Sequence, residues 1–233
     1  MTVAVTPNLA RSNVVIVAGT DTSVGKTWVA AALARAIRSA GHSVIAIKLV
    51  ETGCADERHA NEDGRMLALA AGQAEPTEAL IRLPAPVTPA LAAEREGTTI
   101  DFDDILMRVE AYAAAADLVL VEGSGGLLAP LSWEWNLVDL AQALEARALV
   151  VGSDRAGIIS HALLTLSALE LGGIPIAAVV LTRPEEPDGS TGTNAAAIAR
   201  LSGQTGIIEA PREADPDRAA AAMAPLAELL LRR

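Results

Sequence analysis

Aromatic side chains are nearly missing from this chain. Phe, Trp and Tyr make up 2% of its 233 residues, although 51% are hydrophobic. Its core must therefore be built from Ala, Val, Leu and Ile, and small Ala faces let helices lie close to a sheet. Cysteine is represented once, by Cys54, which excludes an intrachain disulfide and points to a reducing compartment. The histidines His42, His59 and His161 are scattered and offer no zinc-binding spacing. Basic residues are in deficit: 18 Lys and Arg stand against 29 Asp and Glu, a formal net charge of −11. So acidic a surface repels phosphate backbones and argues against nucleic acid or an anionic membrane as partner. No apolar run is long enough to span a bilayer without polar interruption, and Met1–Ser12 lacks the basic start and apolar core of a signal peptide. We expect a soluble cytoplasmic protein, with residues 1–12 a flexible tail and residues 13–233 a single α/β domain.

The most informative segment is Val14-Val-Ile-Val-Ala-Gly-Thr-Asp-Thr-Ser-Val-Gly-Lys-Thr27. Its β-branched run predicts a buried parallel strand, and a helical pattern from Trp28 to Ala40 follows the turn that ends in Gly25-Lys26-Thr27. That is a phosphate-binding loop in a strand–loop–helix setting. Backbone N–H groups face the anion, Lys26 reaches the terminal phosphates, and the Thr27 hydroxyl suits Mg²⁺. The spacing departs from the strict pattern by one residue, because Thr20 stands where the first Gly belongs and Gly19 precedes it.

Strand-like and helix-like runs alternate along the rest of the chain. Strands are predicted at Val44–Lys48, Ala79–Leu83, Asp117–Val121, Ala148–Gly152 and Pro175–Leu181. Helices are predicted at Asn61–Ala71, Pro89–Glu96, from Asp101 toward Ala116, and at Leu137–Glu145, Ile158–Leu171, Asn194–Ser202 and Asp217–Leu231. The alternation implies a mostly parallel sheet with helices on both faces, like a P-loop NTPase, and a ligand site at the carboxyl ends of its strands. Glu122–Gly126 reads as a glycine-rich turn, and Arg183–Thr193 as a mobile surface loop.

Two strand ends carry charge. Lys48 closes an apolar strand and would place a second cation beside Lys26, as phosphoryl transfer requires, unless it snorkels to the surface. Glu122 closes another strand, where an acidic residue holds Mg²⁺ in P-loop proteins; a solvated strand-end carboxylate is the plainer alternative. Asp63, at a predicted helix start, reads as a helix cap or a further oxygen ligand. Cys54 is best read as a bystander thiol.

Taken together, these residues resemble the dethiobiotin synthetase family, ATP-dependent ligases of biotin biosynthesis. The similar segments are Gly19-Thr-Asp-Thr-Ser-Val-Gly-Lys-Thr27, Lys48-Leu-Val-Glu-Thr-Gly53, Pro86-Val-Thr-Pro-Ala90 with Glu96-Gly97, Val121-Glu-Gly-Ser-Gly-Gly-Leu-Leu-Ala-Pro-Leu131 and, more weakly, Gly157-Ile-Ile-Ser-His161. They appear in family order, spread over about two-thirds of the chain, and the shifted glycine of the loop is the family's own form. The resemblance implies that 7,8-diaminopelargonate takes up CO₂ as a carbamate, that ATP phosphorylates it, and that the second amine closes a cyclic urea. It implies ATP as co-substrate with Mg²⁺, and catalytic roles for Lys26, Lys48 and Thr22. Nucleotide contacts would come from Gly19, Thr20, Asp21, Thr22, Ser23, Val24, Gly25, Lys26, Thr27, Thr182 and Pro211. Metal ligands would be Thr27, Asp63 and Glu122. Substrate contacts would come from Thr52, Glu122, Gly123, Ser124 and Gly125. Gly157 and Ser160, at a helix start, would receive the carboxylate tail of substrate bound to a partner subunit, so a homodimer is expected.

Three residues depart from the family pattern: Ser23 replaces a frequent Glu, Leu49 a Pro, and Thr182 an Asn that reads adenine. A threonine hydroxyl has one donor and cannot make a two-point amide contact, so weaker discrimination among nucleoside triphosphates is expected. The main alternative is a switch ATPase of the chromosome-partition type. Such proteins carry a lysine where this chain has Asp21. A cobyrinate-type amide synthetase would need a glutaminase domain for which no room remains. A divergent ligase acting on another amine is a further reading.

Overall fold

The computed structural model describes residues 12–54 and 62–232. Residues 1–11, on which the flexible-tail expectation falls, lie outside the described residues. Ser12 is tied down, its hydroxyl donating to the Leu144 carbonyl at 3.0 Å.

The first strand, β1 (Val14–Gly19), is buried along its whole length. A continuous β-branched run of this kind is stable only where both faces of a sheet are covered. It lies between β5 (Leu118–Gly126) and β6 (Arg147–Ser153). The full order β2-β5-β1-β6-β7-β8 adds β2 (Val44–Lys48), β7 (Ile176–Thr182) and β8 (Ile207–Ala210), and every pairing is parallel. A separate parallel pair joins β3 (Val50–Thr52) to β4 (Ile81–Leu83). Helices are α1 (Lys26–Ser39), α2 (Asp63–Ala71), α3 (Pro89–Glu96), α4 (Phe102–Ala115), α5 (Leu137–Ala143), α6 (Ile158–Leu171), α7 (Asn194–Ser202) and α8 (Pro216–Leu231).

Period-two alternation splits the core. Val15 and Val17 face α1, α2 and α8 through Val29, Leu33, Leu67, Met223 and Leu226. Val14 and Ile16 face α4–α7 through Ile105, Val109, Leu140, Leu166 and Ile198. The predicted mostly parallel sheet with helices on both faces is the one observed, and parallel strands direct all their carboxyl ends to one edge.

One expected turn is corrected. Residues 122–126 are not a turn but the end of β5, which keeps pairing with β1 as far as Gly19 opposite Gly126, across a register shift. Glycines lack the side chains that would crowd this close approach, and the backbone turns only at Leu127 and Leu128. Strands β3 and β8 have no counterpart in the sequence reading, because runs this short carry no readable period.

Candidate functional site

The loop between β1 and α1 is built by glycine at two places. Gly25 caps α1 with φ 89°, a left-handed conformation that favours glycine. A Cβ on Gly19 would lie 2.8 Å from the Lys26 Nζ and 2.6 Å from the Asp21 carbonyl. Glycine is therefore needed at 19, one residue before the position of the strict motif. The Lys26 ammonium folds onto the loop and donates to the Asp21 carbonyl at 3.0 Å. The Asp21 carboxylate accepts from the Thr22 N–H at 2.7 Å.

Strand register supplies the next pair. β2 and β5 place Lys48 opposite Glu122, and the Lys48 Nζ donates to Glu122 Oε1 and to Asp63 Oδ2, both at 2.7 Å. The Thr27 hydroxyl donates to the same Glu122 oxygen at 2.9 Å. Lys48 is 6% exposed and Glu122 0%, so this is a buried network at the strand ends rather than a snorkelling lysine and a solvated acid. The other Glu122 oxygen, Oε2, is buried with no hydrogen-bond partner among the described residues.

Burial works against the charge of Lys48, but Glu122 and Asp63 hold its pKa above the ordinary lysine value. Burial also pushes the Glu122 carboxyl up, against the pull of Lys48. These shifts oppose each other. We take the ion pair, because Nζ touches two carboxylates and one of them, Asp63, is partly exposed. Lys26 is pushed down, first by burial and then by Lys48.

A cleft of about 430 Å³ is lined by Thr22, Ser23, Gly25, Lys26, Thr27, Lys48, Thr52, Asp63, Glu122, Ser124 and Gly125, together with Val50 and Glu51. The Ser124 hydroxyl donates to the Val50 carbonyl across it. A second cleft of about 730 Å³ shares Ser23 and Gly25 with the first, and runs past Val24, Trp28, Thr182 and Pro211 to Glu213. There Thr182 donates to the Val24 carbonyl at 2.8 Å.

Six expected residues line neither cleft, Gly19 and Asp21 of the loop described above among them. Thr20 borders a separate groove with Gly126, Leu127 and His161. Gly123 packs on α5, where a Cβ would meet Leu137 at 2.6 Å. Gly157 and Ser160 lie exposed at the start of α6.

Three further features stand at the clefts or beside them. Glu51 lines the first cleft and binds the start of α2. The Trp28 indole donates to the Glu213 carbonyl at 2.8 Å and closes one wall of the second cleft. Buried Asp154 accepts from the Gly192 N–H and the Asn194 Nδ2, both at 2.7 Å. With Asp188, which accepts from the Ala156 N–H at 2.7 Å, it ties down the 183–193 loop. Glu51 was visible inside a quoted segment, whereas the other two gave no local signal. Cys54 is buried with its thiol on the Glu51 carbonyl.

A strand, a loop closing on Gly25-Lys26-Thr27 and a helix starting at Lys26 define a nucleotide-binding protein of the P-loop class. The chain matches the AAA domain family over residues 13–219. It is 42% identical over 211 residues to the ATP-dependent dethiobiotin synthetase of Anaeromyxobacter dehalogenans strain 2CP-C, across 89% of this chain and 93% of that one. Identity to the Rhodococcus jostii strain RHA1 dethiobiotin synthetase is 41% over 180 residues, 75% and 76% of the two chains. The chain belongs to the dethiobiotin synthetase family. Among solved structures, the MinC:MinD cell division protein complex of Aquifex aeolicus shares the fold, with TM-score 0.62 and 17% identity over 94% of this chain and 96% of that one. At that identity the likeness concerns the fold alone.

Proposed function

We propose that this protein is an ATP-dependent ligase forming dethiobiotin from 7,8-diaminopelargonate and CO₂. One amine of the diamine adds CO₂ as a carbamate. A carbamate oxygen attacks the γ-phosphorus of ATP, and ADP leaves. The second amine then attacks the carbonyl of the resulting carbamic–phosphoric anhydride, expelling phosphate and closing the cyclic urea.

The observation that carries this reading is the buried Lys48, bonded at 2.7 Å to both Asp63 and Glu122 in the cleft that also holds Lys26. Two cations there neutralise charge on the transferring phosphoryl group and the carbamate, and fixed charges in a dry site cost no reorganisation during the reaction. Thr22 would orient the carbamate, and Thr52, Ser124 and Gly125 would border the diamine. Thr182 and Pro211 would flank the base in the second cleft.

Thr27, Asp63 and Glu122 would hold Mg²⁺. What supports this is an all-oxygen donor set with one buried carboxylate oxygen left over. Among the described residues no group of three or more His, Cys, Asp or Glu is placed to hold a metal. Two carboxylates and a hydroxyl suit Mg²⁺, which takes its remaining ligands from phosphates and water. When bound, the ion would supply charge neutralisation to the phosphates of the nucleotide.

We further propose a homodimer in which the start of α6, which has no side-chain cap, faces the carboxylate tail of substrate in the partner's cleft. Among the described residues no helix is long and apolar enough to cross a membrane. The proposed location is cytoplasmic, where ATP is supplied. The chemistry is tested with ¹³C-bicarbonate: the label should appear in a cyclic urea whose mass equals diamine plus CO₂ less water. Product lacking the label would overturn the carbamate route.

A further inference from the structure

Glu51 stands on β3 with its carboxylate turned to the backbone of another element. The Asp63 N–H donates to Oε1 at 2.7 Å and the Gly64 N–H to Oε2 at 3.1 Å. These are the first two residues of α2, and Glu62, the residue at its cap position, makes no side-chain cap. A helix start leaves such N–H groups without intrahelical partners, and here both are taken by one residue twelve positions upstream.

Both ends of the clasp are themselves fixed. Glu51 pairs with Arg82 in the β3–β4 register. Gly64 presses on the chain so closely that a Cβ would lie 2.1 Å from the Ala79 nitrogen. The Asp63 carboxylate, carried by the clasped turn, meets Lys48 at 2.7 Å.

We infer that Glu51 is a positioning residue: by holding the first two N–H groups of α2 it sets the Asp63 carboxylate where the Mg²⁺ of the nucleotide complex would be held. This rests on the role proposed above for Asp63. Without the clasp, the first turn of α2 is free to fray and Asp63 to swing away from Lys48. Gln in its place keeps the length but turns an amide NH₂ toward one of the two N–H groups.

The test uses Glu51→Gln, Glu51→Asp, Asp63→Ala and the double variant Glu51→Gln/Asp63→Ala. Binding of a non-hydrolysable ATP analogue is measured calorimetrically in Mg²⁺ and in EDTA, without diamine. Glu51→Gln should lower the Mg²⁺-dependent gain in affinity about tenfold, leave EDTA affinity within about twofold, and add nothing in the Asp63→Ala background, because residues acting as one unit are non-additive. Glu51→Asp should act in the same direction, more weakly. The inference fails if the Mg²⁺ gain is unchanged, if the two losses multiply, or if the only effect is a raised KM for the diamine. It fails too if neither Glu51 variant folds, since a positioning role leaves the fold intact. A wild-type protein that makes no cyclic urea but shows the Glu51 effect would sink the synthetase reading and leave this one standing.

Discussion

The two clefts on either side of the phosphate-binding loop are built by different means. In the first, Lys26, Lys48 and Glu122 are buried, and strand register sets Lys48 against Glu122. In the second, Arg183, Glu185, Glu186, Pro211 and Arg212 are exposed and hang on the connections after β7 and β8. Parallel strand ends move only if the sheet moves, whereas loops adjust. The phosphate end should therefore tolerate almost no substitution, and the base end should set preference softly. Thr182 sharpens the contrast, because its single hydroxyl hydrogen is already directed to the Val24 carbonyl.

The largest expected effects come from breaking the rigid side. Lys26→Ala should lower kcat/KM about a thousandfold, the scale for losing one preorganised charge at a reacting group. Its melting temperature should stay near wild type. Lys48→Ala should cost comparable activity and also about 3–5 kcal/mol of stability, because it strands the buried Glu122 carboxylate without its cation. A Lys26→Ala protein with full activity, seen in the same assays, would end the phosphoryl-transfer reading.

On the soft side, wild-type discrimination among ATP, CTP and GTP should stay within about tenfold, and Thr182→Asn should raise the preference for ATP by about tenfold, the scale of one or two added hydrogen bonds. Competition kinetics would check this. A strong wild-type preference for ATP would count against it. Asp154→Ala should cost about 1–3 kcal/mol, since it leaves the Gly192 N–H without its acceptor and removes one from the Asn194 amide, which keeps the Ser190 carbonyl. Its KM for ATP should rise several-fold while kcat holds, because only the base-side loop loosens.

The smallest effect is on pH. Lys26 is pushed below the ordinary lysine value of 10.5 by burial and by Lys48. It loses its charge as pH rises through that lowered value, so binding of the ATP analogue should weaken on the alkaline side before 10.5. Lys26→Arg, which keeps its charge to higher pH, should move that limb upward.

Much of the rigid side could be read from the sequence, and little of the soft side. Helices α3, α6 and α7 begin and end where Pro, Gly and apolar spacing place them. Lys48 and Glu122 stood out as charges closing apolar strands. The turn expected at Glu122–Gly126 was misplaced because glycine signals a bend by default, while here it lets two strands run close. Glu51 lies inside a segment that carries the family resemblance, but its contact, like those of Trp28 and Asp154, was not legible, for one shared reason. Each binds backbone or side chains between 12 and 185 positions away, and no local period records such a contact. The three-residue strand β3, which places Glu51, is too short to show a pattern.

The most direct test is phosphate release from ATP with Mg²⁺ and bicarbonate, with and without 7,8-diaminopelargonate. Release should depend on the diamine, with one phosphate freed per cyclic urea formed. Release at the same rate without the diamine would contradict the synthetase reading and move the protein to the switch ATPases.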